Sequence, residues 1–350
     1  MLLKIKVSLL LCFGLFFFLP ILSVARAQNN FYQGKTMTYI VGLLAGDSAD
    51  LWSRAVSRNL VKHVPGNPNI LVQNMTGAGG LIAANYVYGV AKSDGLTLGS
   101  VSPGLYLQQL IGRKEIQFDW RKFTWIGSSW RRSALLIMRA DAPYKSIEDI
   151  RTASEPPKCS TTAPGAESHI NLKVLEEGLA LKFRMVSGYK GGSEQDLAIE
   201  KGEVQCRALS TAAFLAREPF QTWQKKGFIR VIVQTAPKRN PKLSEVPTVH
   251  ELMERYQVPD AKRRVALVLI GGDNLGNFVT AAPPEIPVER VKILREAYAK
   301  ALKEPDLLEE GKRRNWEVEL IRGEELETLA KEVIDQPPEV IDRVKEIFRQ

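Results

Sequence analysis

Two stretches, YIVGLLAGDSADLWSRAV (39–56) and ILVQNMTGAGGLIAANYVY (70–88), each run from a β-type apolar segment through a glycine-bearing turn straight into a helix. Strands and helices alternating at this spacing imply a parallel sheet with helices on its faces, which restricts the chain to an α/β fold. Each turn aims backbone N–H groups and the positive end of a helix at one point, making an anion-binding corner. Two such corners, close in sequence, point to a protein that holds a small negatively charged molecule.

The alternation continues along the chain. Met37–Leu43, Ile70–Gln73 and Leu96–Val101 read as strands, and the helix after Asp50 places Trp52, Ala55, Val56 and Leu60 on one stripe. A second helix carries Ala83, Ala84, Val87 and Tyr88. In open sheets of this kind ligands gather at the carboxyl ends of the strands. A long apolar passage, FTWIGSSWRRSALLIMRADAP (123–143), leads into a new series through KCSTTAPGAESHINLKVLEEGL, GGSEQDLAIEKGEVQCRAL and RVIVQT (230–235). The chain returns through RRVALVLIGGDNLGNFVTAAPPEIP (263–287) into a helix with Pro287 at its first turn. Val288, Val291, Leu294, Tyr298 and Ala301 form the expected buried stripe of that helix. One outward and one returning crossing are what a chain needs when one domain is inserted into another, and this length exceeds the usual single core. The expected division is lobe 1 over 28–132 with 275–350 and lobe 2 over 133–274, enclosing a cleft.

The first 27 residues set the compartment. Lys4 and Lys6 precede an apolar run from Val7 to Val24, and Ala25-Arg26-Ala27 offers the small-x-small cleavage pattern. Residues 1–27 therefore read as an export signal, with a soluble exported mature protein beginning near Gln28. The run is also just long enough to span a bilayer as an uncleaved anchor; the cleavage pattern favours export. Cys12 sits too early, after Leu11, for a lipoprotein signal. Loss of Lys4, Lys6 and Arg26 lowers the net charge from +9 to +6. The bases are scattered among acids, which argues against nucleic acid and leaves a weak long-range pull on anions.

Of the three cysteines, Cys159 and Cys206 survive processing. In an oxidising compartment they can pair if their runs, PKCST and EVQCRAL, are neighbouring strands with facing side chains. His63, His169 and His250 are dispersed and lack cysteine partners, so no zinc site is expected. No cofactor is expected either.

Taken in order, FYQGKTMTYIVGLLAGDSADLWSRAVSRNL, NPNILVQNMTGAGGLIAANYVYGVAKSDGLTLGSV, PYKSIEDI, LSEVPTVHEL and APPEIPVERVKILREAYAKAL resemble the periplasmic solute-binding subunit of tripartite tricarboxylate transporters. The resemblance covers essentially the whole mature chain, and the asparagine shortly before Gly77-Ala78-Gly79-Gly80 and the pair Asp94-Gly95 sit at the family's spacing. It implies a two-lobed α/β periplasmic binding protein of type II, each lobe a mostly parallel sheet flanked by helices. It further implies a monomeric receptor that takes a small carboxylate (a di- or tricarboxylate, an amino acid or an aromatic acid) into the interlobe cleft and delivers it to membrane transporter subunits.

Carried over from the family, the ligand's carboxylate is held by the turns Ala45–Asp50 and Thr76–Gly80 in lobe 1, Thr161–His169 in lobe 2, and the segment from Tyr189 to Gly192. The first turn departs from the family pattern, because Ala45-Gly46-Asp47-Ser48-Ala49-Asp50 stands where two or three adjacent glycines are usual. Either the Asp47 carboxylate points away, or the ligand carries a donor or cationic group that it recognises.

The candidate ligand contacts are Ala45, Gly46, Asp47, Ser48, Asp50, Thr76, Gly77, Ala78, Gly79, Ser102, Arg131, Thr161, Thr162, Gly165, Ser168, His169 and Tyr189. The glycines are turn residues first, as in any α/β protein. Asp50 and Ser168 are placed to cap the helices that follow them, a role worth about 1 kcal/mol. His169 can donate to a carboxylate, although the positive helix end disfavours its protonated form. Arg131 and Arg132, and the run Lys262, Arg263 and Arg264, offer charge beside a cleft; they serve equally well as solvated surface. Tyr106 offers a second hydroxyl, and Trp125 and Trp130 read as packing.

Three functions share these features. A transport receptor needs neither nucleophile nor metal. An exported enzyme on an anionic substrate would need both machinery and motif, and the chain has no G-x-S-x-G elbow, no H-E-x-x-H and no glycine turn ending in G-K-[ST]. A receptor that presents its ligand to a membrane sensor kinase would have the same sequence as the transport receptor. The non-enzymatic transport receptor is the expectation.

Overall fold

β-Branched and aromatic residues make TMTYIV a strand, and strands and helices alternate from there as far as Ser129. The computed structural model describes residues 31–349, so the export signal read over 1–27 lies outside the described residues. In chain order the elements begin β1 (Thr36–Val41), α1 (Ser48–Leu60), β2 (Asn69–Asn74), α2 (Leu81–Gly89), β3 (Thr97–Val101), α3 (Leu105–Leu110), β4 (Thr124–Ser129) and β5 (Ala134–Arg139). They continue with α4 (Ile147–Thr152), β6 (Lys158–Ser160), α5 (Glu167–Leu179), β7 (Arg184–Val186), α6 (Gly192–Lys201), β8 (Cys206–Ser210), α7 (Thr211–Ala216), α8 (Phe220–Lys225) and β9 (Ile229–Gln234). The remainder is α9 (Val249–Arg255), α10 (Asp260–Leu269), α11 (Gly271–Asn274), β10 (Val279–Ala282), α12 (Val288–Ala301), α13 (Pro305–Arg314), β11 (Leu320–Arg322), α14 (Gly323–Ile334) and α15 (Pro338–Arg349).

Contacts group the chain into two compact units. The first takes the described chain up to Ser102 with Phe123–Gly127 and Thr280–Gly323; the second takes Pro103–Lys122, Ser128–Val279 and the chain from Glu324. The division expected from the sequence assigns 103–122, 128–132, 275–279 and 324–350 to lobe 1. Packing groups them with the second unit instead: α15 lies on α10, and Arg343 reaches Glu177 at 2.6 Å.

The first unit is built on a six-stranded sheet in the order β11-β4-β10-β3-β1-β2. β1 pairs in parallel with β2 and β3, so Val41 lies level with Asn74 on one side and Ser100 on the other. All three strands release the chain at the same edge. The α1 stripe is as its period demands, with Trp52, Ala55, Val56 and Leu60 fully buried against the sheet. The α12 stripe differs. Leu294, Tyr298 and Ala301 are buried, but Val288 is 79% exposed, because packing of this helix begins one turn later than its apolar period.

The second unit carries a five-stranded sheet in the order β7-β6-β8-β5-β9. β6 runs parallel to β7 and β8, whereas β5 runs antiparallel to β8 and β9. In the first unit β10 and β4 are likewise antiparallel. Both sheets thus carry antiparallel strands beside the parallel ones expected, with helices flanking them as the sequence implies. Cys159 and Cys206 stand in register on β6 and β8, with Cα atoms 4.5 Å apart, and are joined by a disulfide. On the other side of the unit Leu135, Ile137, Ile199, Phe214, Phe220 and Trp223 share one core.

Candidate functional site

The parallel register of β1, β2 and β3 brings three turns to one edge of the first unit. Gly42 leaves β1 in such close contact with the start of α2 that a Cβ there would lie 2.7 Å from the Gly80 Cα and 3.3 Å from the Ala83 Cβ. A Cβ on Gly80 would in turn reach 3.9 Å from the Ser102 Cβ. The turn between β2 and α2 holds four successive left-handed residues, Gly77 (φ 135°), Ala78 (φ 47°), Gly79 (φ 65°) and Gly80 (φ 91°), a path that only a glycine-rich segment follows without large cost. It closes with the Gly80 N–H donating to the Gly77 carbonyl at 3.0 Å. Thr76, Ala78 and Gly79 are exposed, and Ser102 is half-buried.

A buried carboxylate organises the turn between β1 and α1. Asp50, 2% exposed, accepts the Gly46 N–H at 2.9 Å, the Arg54 Nε at 3.0 Å and the Asn74 Nδ2 at 2.9 Å. Asn74 also donates to the Leu43 carbonyl at 2.9 Å, so the end of β2 is tied to the turn after β1. Burial alone would raise the pKa of Asp50, but the hydrogen bonds from Arg54, Gly46 and Asn74 outweigh it and hold the group below its ordinary value. Asp50 is thus not the helix cap expected of it. Asp47 occupies the cap position, without capping any N–H, and its carboxylate turns back to accept the Leu44 N–H at 3.1 Å. Ala45, Gly46, Asp47 and Ser48 are exposed.

The second unit repeats this pattern at the end of β6. Thr161 is buried, its N–H on the Val186 carbonyl at 2.8 Å and its hydroxyl 2.8 Å from that of Ser187. The Thr162 N–H donates to the Ser168 hydroxyl at 3.3 Å, and the Gly165 N–H donates to the His169 Nδ1 at 3.2 Å. Ala166, not Ser168, is the cap residue of α5; Ser168 instead folds back over its own turn. His169 is 5% exposed, and burial, followed by the nearby Lys173 charge, pushes its pKa down. The ring is neutral, in keeping with a helix start that disfavours its protonated form; Nδ1 accepts, which leaves the proton on Nε2. Tyr189 packs half-buried on the core that holds Ile199 and Phe214.

The basic candidates are committed to partners within the second unit. Arg131 pairs with Glu325, and Arg132 lies 3.1 Å from Asp273, whose pKa burial pushes up to about 6 against the pull of Arg132. Arg263 and Arg264 pair with Glu254 and Asp260. Tyr106 is fully buried; its hydroxyl donates to the Val268 carbonyl and accepts the Gly272 N–H at 3.0 Å, so it orders α11 rather than a ligand. Trp125 and Trp130 are buried, the latter edge-on to Phe278. Among the described residues no group of three His, Cys, Asp or Glu side chains is arranged to hold a metal ion.

Two groups escaped the sequence reading. Arg54 and Asn74 brace the first turn, and only the side-chain geometry reveals it. Arg207, on β8, is 6% exposed and lies beneath the start of α6, donating to the Gly192 carbonyl at 2.7 Å and to Asp196, which Arg217 also holds at 2.8 Å. A cation inside the apolar run EVQCRAL was the available signal for it.

The sequence matches the family described as the tripartite tricarboxylate transporter family receptor over residues 53–345. A TctC solute-binding protein from Polaromonas, solved without ligand, is similar at 21% identity with a TM-score of 0.70, covering 91% of this chain and 99% of that one. The Rhodopseudomonas palustris protein MatC with bound malate is similar at 20% identity and TM-score 0.51, covering 90% and 99%. An R. palustris protein with adipate is similar at 21% identity and TM-score 0.55, covering 90% and 98%. No curated protein matches the sequence. The structural likenesses give the fold, that of a periplasmic solute-binding protein with two α/β lobes.

Proposed function

We propose, from the premise that this chain belongs to the tripartite tricarboxylate transporter receptor family, that it is an exported, non-enzymatic receptor for a small carboxylate, which it delivers to a membrane transporter of the tripartite kind. The observation that carries this reading is the close approach of Gly42 to Gly80, which assembles the turns after β1 and β2 and the residue after β3 at one strand edge. Strand ends with adjoining helix starts are where open α/β sheets take small anions. Relatives of this fold hold malate and adipate, which supports a carboxylate as the ligand class.

In such a receptor, binding energy shifts an equilibrium between conformations and no bond is made or broken. The test is a thermal-shift screen of the chain from Gln28 against mono-, di- and tricarboxylates. A ligand at a hundred times its dissociation constant adds about 2.7 kcal/mol. A panel in which every acid leaves the melt unmoved contradicts the proposal, as does turnover of any of them.

A further inference from the structure

Part of the N–H set of the candidate turns is already bonded within the protein. The Leu44 N–H goes to Asp47 and the Gly46 N–H to Asp50 in the first unit. The Thr162, Gly165 and Lys190 N–H groups go to Ser168, His169 and Glu194 in the second. What the first unit presents beside its turns is apolar. Leu43 and Leu44, directly after Gly42, are 39% and 67% exposed, and Ile82, just past Gly80, is 50% exposed with its Cδ1 lying over Gly77. These three side chains flank the Gly42–Gly80 contact, and the exposed carboxylate of Asp47 stands in the same turn.

We infer that Leu43, Leu44 and Ile82 set the specificity of this site, and that its ligand is an acid with one carboxylate and an apolar aliphatic or aromatic body. This rests on the receptor reading above. The leucines and the isoleucine gain by covering hydrocarbon, at roughly 25 cal/mol per Å² of apolar surface removed from water. Asp47 repels a second negative charge brought near the same turn. A tricarboxylate brings the most negative charge to a turn that already carries the exposed Asp47 carboxylate, and the least hydrocarbon for Leu43, Leu44 and Ile82 to cover.

The test is calorimetric titration with pairs matched in length, hexanoate against adipate and 4-methylbenzoate against terephthalate. The monoacid of at least one pair is expected to bind about tenfold tighter than its diacid. Leu43→Ser/Leu44→Ser is expected to remove most of that ratio by weakening the monoacid, and Asp47→Asn to reduce it by strengthening the diacid. The melting temperature of each ligand-free variant checks that it folds; Leu44→Ser alone, at an exposed position, serves if the double variant does not. Diacids or citrate binding as tightly as the monoacids to the natural chain overturn the inference and leave the receptor reading standing. So does a ratio that the leucine variants leave unchanged. Binding of none of these acids, nor of any other carboxylate, removes both.

Discussion

The buried carboxylate of Asp50 accepts the N–H of Gly46, four residues before it, at 2.9 Å, and thereby folds the turn after β1 onto the first turn of α1. The same carboxylate takes hydrogen bonds from Arg54 and Asn74, so the shape of the first turn, the start of its helix and the end of the neighbouring strand depend on one group. Asp50→Asn keeps the size but loses the charge that Arg54 meets. Urea unfolding should show a loss of about 1–3 kcal/mol, moderated because Arg54 is partly solvated. Since the folded pKa is depressed, the contribution is complete above the unfolded value near pH 4 and is lost as pH falls through the folded one. The acid-side loss of stability should therefore be smaller in Asp50→Asn than in the natural chain.

His169 acts at higher pH. Its folded pKa is lowered, so the folded state resists a proton that the unfolded chain binds near pH 6.5. Stability falls as pH drops below about 6.5, by at most about 1.4 kcal/mol per pH unit for this group. Asp273, raised to about 6, has the opposite sign: its folded form gains protons first, so it loses stability as pH rises from about 4 to 6. Urea midpoints of the natural chain and His169→Gln between pH 5 and 8 separate the two. The variant should lose less stability on acidification, and an unchanged slope would mean that the ring is not held neutral.

Removing the Cys159–Cys206 bond frees a loop of sequence separation 47. Chain-entropy reasoning gives about 3–4 kcal/mol for a loop of that size. Paired serine substitutions should lower the urea midpoint accordingly, and the reductant sensitivity of the natural chain should vanish with them.

Arg207→Met tests the buried cation beneath α6. The substitution leaves Asp196 with Arg217 alone and releases the Gly192 carbonyl. About 2–4 kcal/mol of stability should be lost, with Arg207→Lys recovering only part of it, because a single ammonium cannot reproduce the guanidinium fork. Equal stability of Met and natural proteins in urea would show that the pair contributes nothing.

The parts of the fold that were legible in the sequence are those governed by local period. Trp52, Ala55, Val56 and Leu60 are spaced for one helix face and are buried there. The glycines at 77, 79 and 80 announced a turn that needs left-handed backbone, and it is one. What was not legible depends on partners chosen in three dimensions. Whether Asp50 caps its helix or reaches back to Gly46, and whether His169 donates or accepts, are rotamer choices open to the same sequence. Arg343 and Glu177 lie 166 residues apart, so no local pattern could group the end of the chain with the second unit. Val288 continues an apolar period into solvent, where period and burial part company.

Ligand titration of Gly42→Ala tests the central claim most directly. A methyl there cannot fit 2.7 Å from the Gly80 backbone, so the turns after β1 and β2 must separate, at a cost of about 1–3 kcal/mol. A variant that still melts cooperatively but has lost tenfold or more of the natural chain's affinity for its best carboxylate is the predicted result. A folded Gly42→Ala protein that binds the same acid with undiminished affinity would contradict the account.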